Sequence, residues 1–139
     1  MSDRYYASFH IRKKDLEADS ELKESIENYF GYEGEEKDGV VTFEDDQASY
    51  GQFLDIEDKC QSLNVPFDRY SSGYYENTAY MIHFRPGKET VCIESDEQGN
   101  DLVILDEIVK IQEADDAQLR TMLDALVEKY HPVPLAMIA

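Results

Sequence analysis

Three strand-like segments joined by short connections constrain the fold more than any other feature of this sequence. Thr78–Phe84, Thr90–Glu94 and Asp101–Leu105 are rich in β-branched, aromatic and aliphatic residues, and turn-forming residues separate them. Connections this short join strands that run in opposite directions. This half of the chain is therefore predicted to form an antiparallel sheet, with a hairpin over residues 90–105.

Alternating and helical apolar patterns predict the remaining elements. Further strands are predicted over Tyr5–Ile11, Gly39–Glu44 and Phe67–Tyr70, and helices from Asp19 or Ser20 to Phe30, from Ser49 to Leu63 and from Asp115 or Asp116 to Tyr130. The order β-α-β-α-β-β-β-β-α predicts an α+β fold in which three helices pack largely on one face of a mainly antiparallel sheet. One domain over residues 1–139 is expected, with the apolar tail 132–139 docked on the body or on a partner.

The formal net charge of −18 restricts the partners that this chain can meet. Sixteen acidic and two basic residues lie between Asp15 and Asp58, and nine acidic residues and one basic residue lie between Glu94 and Asp116. Such a chain repels nucleic acids and anionic membranes and attracts basic surfaces. Ten Tyr and six Phe argue against disorder. We therefore expect a folded protein that binds neither nucleic acid nor membrane directly.

Known signatures of catalysis, cofactor binding and targeting do not occur in the sequence. It has no G-x-S-x-G, no phosphate-binding glycine loop and no Cys or His pair at zinc-ligand spacing. Cys60 and Cys92 lie in a predicted helix and a predicted strand, which favours structural thiols over nucleophiles. No apolar segment suits a signal peptide or a membrane span. We expect no catalytic residue, metal or cofactor, and a cytoplasmic protein with reduced thiols.

Carboxylates at helical spacing form the candidate binding site. Like charges three or four residues apart destabilise an isolated helix by roughly 0.2–0.5 kcal/mol per pair. A row of such charges on a helix therefore requires an explanation. Apolar and aromatic side chains beside such rows are typical anchors of protein interfaces. The predicted partner-binding residues are Glu21, Glu24, Glu27, Glu44, Asp45, Asp46, Leu54, Asp55, Asp58, Tyr74 and Tyr75.

Three hypotheses about function follow from these features. The first is a non-enzymatic protein that blocks a basic partner, such as a nuclease, a toxin or a nucleic-acid-binding complex, as immunity or anti-defence inhibitors do. Its carboxylates would imitate a phosphate backbone and steer association. The second is a small enzyme or a domain that binds a divalent metal or ligand through Glu44–Asp46 with His10 or His83. The third is an accessory domain whose acidity serves solubility only.

Overall fold

A six-stranded antiparallel sheet organises the computed structural model, which describes residues 3–73, 78–96 and 100–138. The strands are β1 (Arg4–Arg12), β2 (Glu35–Lys37), β3 (Val40–Ser49), β4 (Phe67–Ser71), β5 (Tyr80–Phe84) and β6 (Val91–Glu94). The helices are α1 (Lys13–Ala18), α2 (Ser20–Phe30), α3 (Leu54–Ser62), α4 (Leu105–Gln112) and α5 (Asp116–Tyr130), and a 3-10 turn follows at Leu135–Met137. The strand order is β2-β3-β1-β4-β5-β6. The predicted α+β class is confirmed.

Alternation along the central strand β1 gives the sheet two different faces. Ala7, Phe9 and Ile11 are fully buried on the face that we call the first face. Ser8 and His10 point to the opposite side, the second face, because successive strand residues alternate. Helices α1, α2 and α3 cover the first face and bury its apolar side chains.

The core lies between the first face and these three helices. The helices contribute Leu16, Leu22, Ile26, Ile56 and Cys60 to the same buried cluster as the apolar residues of β1, β3 and β4. Aromatic rings fill its centre: Phe9 meets Phe53 edge-on at 6.2 Å and Phe67 at 5.3 Å between ring centroids. Phe30 stacks on Phe43 at 4.9 Å.

Aspartate side chains cap the starts of α2 and α5, and a glycine ends α2, at positions that the sequence predicted. Asp19 Oδ1 accepts a hydrogen bond from Leu22 N at 3.0 Å, and Asp115 Oδ1 accepts one from Gln118 N at 2.8 Å. Both bonds satisfy a backbone donor that the first helical turn leaves free. Gly31 closes α2 with φ of 81°, a conformation that glycine adopts without strain.

Helix α3 begins at Leu54, so the helix start predicted at Ser49 is wrong. Strand β3 continues through Ser49, because its pairing with β1 extends to Arg4. A turn at Tyr50 and Gly51, both with positive φ, then leads into the helix. The capping interaction comes from Glu57, whose Oε2 accepts a hydrogen bond from Phe53 N at 2.8 Å.

The strand predicted over Asp101–Leu105 is also wrong. One isolated bridge joins Ser95 and Asp101, and the chain then enters α4 at Leu105. Helices α4 and α5 pack on one another and form a helical hairpin, and no residue of either helix is buried. Helices α1 and α4 and the short strand β2 were not predicted.

The tail that follows α5 lies against the sheet. Leu135 is buried, Arg85 Nε donates to Val133 O at 2.9 Å, and Arg12 Nη1 donates to Ile138 O at 3.4 Å. These bonds connect the tail to β1 and to the end of β5. Among the described residues, no helix combines the length and apolarity that a membrane crossing requires.

Candidate functional site

Helices α2 and α3 lie side by side and bring their carboxylates to one groove. Glu21 from α2 and Asp58 from α3 line it together with Asp19 and Lys59, and its volume is about 340 Å³. Lys59 Nζ donates to Ser25 Oγ at 2.7 Å and links the two helices. Glu21 and Asp58, one residue from each of the acidic rows that the sequence predicted on separate helices, therefore lie at the same groove.

Leu54 stands exposed at the start of α3, four residues and about one helical turn before Asp58. Its exposed fraction is 62%, and Glu24 and Asp55 are exposed as well. We call Glu21, Glu24, Leu54, Asp55 and Asp58 the acidic surface. The predicted residues Tyr74 and Tyr75 lie outside the described residues.

Two acidic residues of these helices do not belong to the acidic surface. Glu27 is half-buried and lies 4.0 Å from Lys23 Nζ. Glu57 is buried, and its Oε1 accepts a hydrogen bond from Arg69 Nε at 3.0 Å. Arg69 also donates to Tyr80 OH at 3.1 Å. Glu57 therefore serves a buried ion pair and not the surface.

Tyr29 extends the acidic surface towards β3. Its ring packs edge-on against Phe53 at 5.8 Å, and almost half of the residue remains exposed. Burial, and then the charges of Asp45 and Asp55, raise the pKa of the Tyr29 phenol. Tyr29 was predicted to belong to the apolar stripe of α2. It lies at the edge of that stripe, and this position is the feature of the sequence that indicates its exposure.

The acidic triplet of β3 is divided between the two faces of the sheet. Asp45 lies near Tyr29, on the side of the helices. Glu44 pairs with Ser8 of the second face, and its Oε1 accepts a hydrogen bond from Tyr6 OH at 2.8 Å. Burial and this hydrogen bond, with a smaller contribution from Asp46, raise the pKa of Tyr6 to about 12. Glu44 and Asp46 thus lie apart from the acidic surface.

His10 is held in a polar cluster on the second face. Its Nε2 lies 2.9 Å from Ser8 Oγ, and its Nδ1 lies 2.9 Å from Thr42 Oγ1. Burial lowers the pKa of His10, because the charged imidazolium is poorly solvated there. The neutral ring is consequently favoured in the folded protein.

Asp68 lies between the two histidines that the sequence singled out. The strand register pairs it with His10 on one side and His83 on the other. Its Oδ1 lies 2.6 Å from His83 Nδ1 and accepts from Arg85 Nη1 at 2.9 Å. Burial alone would raise the pKa of Asp68, but the hydrogen bonds and charges of His83 and Arg85 lower it. The carboxylate is therefore charged at neutral pH.

A cleft of about 660 Å³ opens beside this cluster, and we call it the polar cleft. Its lining includes Asp68, His83 and Arg85 from the sheet and Tyr130 and His131 from the end of α5. The triplet at 44–46 is not part of this lining. Within the described part of the chain, no group of three His, Cys, Asp or Glu residues is placed to hold a metal ion.

The two thiols have raised pKa values. Burial, followed by the charge of Glu57, raises the pKa of Cys60 to about 12. Cys92 is exposed on the edge strand β6, where partial burial and Glu94 raise its pKa. Both groups are therefore protonated thiols at neutral pH, whereas a nucleophilic cysteine requires the thiolate.

Comparison with known proteins adds no assignment to this geometry. No protein-family model matches the chain, and neither the curated proteins nor the solved structures give a significant match. The acidic surface and the polar cleft are the two candidate sites, and their chemistry alone supports a function.

Proposed function

We propose that this chain is a non-catalytic binding protein that occupies a basic groove of a partner protein with its acidic surface. The observation that carries the proposal is an exposed leucine beside carboxylates that form no ion pair with a described Lys or Arg, although Lys59 lines the same groove. Among the described residues, no ion pair joins Glu21, Glu24, Asp55 or Asp58 to a Lys or Arg. An apolar anchor within a charged rim is the usual composition of a protein interface.

Repulsion between these carboxylates favours their binding to a cationic groove. Glu21 and Asp58 share one groove, and Asp55 lies one helical turn before Asp58. Each additional Arg or Lys that approaches relieves repulsion that the free protein retains. Leu54 and the ring of Tyr29 offer the apolar area that makes such contacts persist.

Proteins that handle nucleic acids have grooves of the required charge. Their Arg and Lys side chains hold phosphates, and rows of carboxylates can occupy the same positions. The partner class is therefore a nuclease, a toxin or another nucleic-acid-binding assembly, and the mechanism is competitive blockade. The net charge of −18 would accelerate encounter at low salt.

Two charge-matched variants test the proposal. The surface variant combines Glu21→Lys, Glu24→Lys, Asp55→Lys and Asp58→Lys. The control variant combines Glu35→Lys, Glu89→Lys, Glu94→Lys and Glu113→Lys, which are exposed positions outside the acidic surface. Because each variant reverses four carboxylates, the two have the same net charge and differ only in location.

Capture from the native host with wild-type protein and both variants, followed by mass spectrometry, identifies the partner. We expect wild type and the control variant to retain one basic protein that the surface variant loses. With that partner purified, the wild-type chain should displace a fluorescent oligonucleotide from it, and rising salt should weaken the complex. Equal retention by both variants, or binding indifferent to salt, would disprove the proposal.

Ligand binding in the polar cleft is a second candidate function. Arg85 lines the cleft and is largely buried, and its Nη2 has no hydrogen-bond partner among the described residues. A buried guanidinium nitrogen without a partner is unfavourable, and an anionic ligand would satisfy it. Thermal unfolding of wild type and His83→Gln in a series of carboxylates and phosphates is the test. If no anion raises the melting temperature of the wild type, the cleft has no such function.

A further inference from the structure

The polar cleft extends along the second face of the sheet, across β4, β5 and β6. Strand alternation and register place five of its lining residues on that face, namely Asp68, Tyr70, Met81, His83 and Ile93. The end of α5 and the start of the tail complete the lining with Tyr130, His131, Pro132 and Pro134. Its volume of about 660 Å³ lies within the range of small-ligand pockets, which is about 300–1,000 Å³.

The two ends of the polar cleft are far apart along the strands. Ser95 N donates to Ala79 O at 2.8 Å, so Ser95 and Asp96 lie beside Ala79 at one end. Arg85 follows Ala79 by six residues and lines the other end, about 20 Å away at about 3.3 Å per strand residue. Because lining side chains occupy part of that distance, an extended ligand of three or four residues, about 10–14 Å long, has the length to span the cleft.

Basic side chains gather at the Arg85 end of the cleft. Arg85 Nε donates to Val133 O at 2.9 Å, two residues beyond His131, and Arg85 shares the carboxylate of Asp68 with His83. Arg85 is only 8% exposed, and its Nη2 has no hydrogen-bond partner among the described residues. This end therefore lacks an acceptor, which the carboxylate of a ligand would supply.

The opposite end of the cleft is acidic. Asp96 and Asp101 line it, and a bridge between Ser95 and Asp101 fixes the position of Asp101. Arg85, His83 and His131 are the basic side chains of the described lining, and His83 and Arg85 belong to the other end. The two carboxylates would repel a simple anion and attract an ammonium group.

We propose that the polar cleft binds a short zwitterionic peptide, with its terminal carboxylate at Arg85 and its terminal ammonium at Asp96 and Asp101. This inference rests on the second candidate function, since it assigns a ligand class to the same cleft. A ligand with a charge at each end matches both ends of the cleft, whereas a bare anion matches only one. The lining between the ends offers apolar and aromatic surface to a central side chain, from Tyr70, Met81, Ile93 and Tyr130.

Isothermal titration calorimetry of the full chain with four probes tests the proposal. The probes are acetate and one tripeptide with a central phenylalanine, in unblocked, N-acetylated and C-amidated forms. Each blocking group removes one terminal charge and leaves the rest of the peptide unchanged. We expect the unblocked peptide to bind at least about fivefold more tightly than either blocked form, because each terminus makes a charge-assisted contact.

Two charge-matched variants locate the ammonium end. Asp101→Asn changes the acidic end of the cleft, and Asp106→Asn changes an exposed residue of α4 outside the lining. Asp101→Asn should bind the unblocked peptide about two- to fivefold more weakly and the N-acetylated peptide no more weakly than wild type does. Asp106→Asn should match wild type with both peptides. Both positions are exposed, so the melting temperature of the free protein should not change in either variant.

The possible results separate the inference from the function on which it rests. If the N-acetylated and unblocked peptides bind equally, the cleft recognises an anion alone, which overturns the inference and supports the second candidate function. If the C-amidated peptide binds as tightly as the unblocked one, or if neither acetate nor any peptide binds, both are overturned. An equal loss of affinity in Asp106→Asn and Asp101→Asn would overturn the inference alone, because it would show a general effect of charge.

Discussion

Two helices with similar apolar stripes have opposite surroundings in this molecule. Leu22 of α2 is 2% exposed, whereas Leu123 of α5 is 45% exposed, although each belongs to a stripe of helical periodicity. Every member of the core cluster lies between Ala7 and Phe67. An amphipathic stripe thus specifies a helix and its apolar side, but not the surface that covers it.

The comparison predicts unequal stability in the two regions. Helix packing and not intrinsic propensity provides most of the stability of a helix in a protein. The first-face core buries α2 and α3, so these helices should unfold only with the whole domain. The hairpin of α4 and α5 has few buried contacts and should open locally at lower free energy.

Truncation of a core side chain should cause the largest loss of stability and the largest difference between the two regions. Phe9 is completely buried between Phe53 and Phe67. Phe9→Ala should reduce the free energy of unfolding by about 3–5 kcal/mol, and Leu123→Ala by less than about 1 kcal/mol. Urea titrations at low protein concentration measure both. Equal losses would mean that the hairpin belongs to the cooperative core.

The buried ion pair should give the next largest effect. Arg69→Met leaves the buried carboxylate of Glu57 uncompensated and should destabilise the protein by about 3 kcal/mol. Glu57→Gln in the same chain should recover part of that loss. Lys88→Met removes a solvent-exposed ion pair with Glu128 of α5 and should not change the urea midpoint measurably. A large effect of Lys88→Met would contradict the proposed difference between the regions.

Loss of a helix cap should also distinguish the two regions, with a smaller loss of stability. Asp19→Ala removes the cap of α2 and should lower global stability by about 1 kcal/mol. Asp115→Ala removes the equivalent cap of α5 and should act locally. Hydrogen exchange should then show faster exchange in Asp116–Tyr130 with little change in the slowest core amides. Uniformly faster exchange in both variants would argue against local opening.

Titration of His10, which lies in the packed region, should have the smallest effect on the free energy of unfolding. Its pKa lies below 6.5 in the folded protein because of burial. The unfolded chain therefore takes up a proton that the native state rejects, and stability should decline as pH falls below about 6.5. His10→Gln should flatten this dependence in urea titrations between pH 7 and 5. An unchanged slope would show that other groups cause it.

Local signals in the sequence were sufficient for the helices whose caps and stripes are continuous. Asp19 and Gly31 bound α2, and Asp115 begins α5, as predicted. Helix α4 escaped prediction because the short apolar run before it suits a strand or a helix equally well. The helix start predicted from the capping pattern at Ser49 was wrong for a different reason. Pairing of β3 with β1 outweighed the local preference of this segment for a helix.

The candidate site depended on long-range geometry that spacing cannot provide. Glu44 and Asp45 are adjacent in sequence, yet strand alternation sends them to opposite faces. An irregular register between Tyr5 and Ala7 shifts the pairing at the end of β3. Leu54 was predicted to bind a partner, but its exposure depends on how α2 packs beside α3, which sequence spacing does not determine.

The edge strand β2 has a consequence for how this protein associates. It consists of Glu35, Glu36 and Lys37, all exposed, and it forms one border of the sheet. A second copy that paired with this border in parallel and in register would place like charges against each other over only three residues of backbone pairing. Extension of the sheet from chain to chain in that register, the first step towards amyloid-like stacking, is thus discouraged at this border.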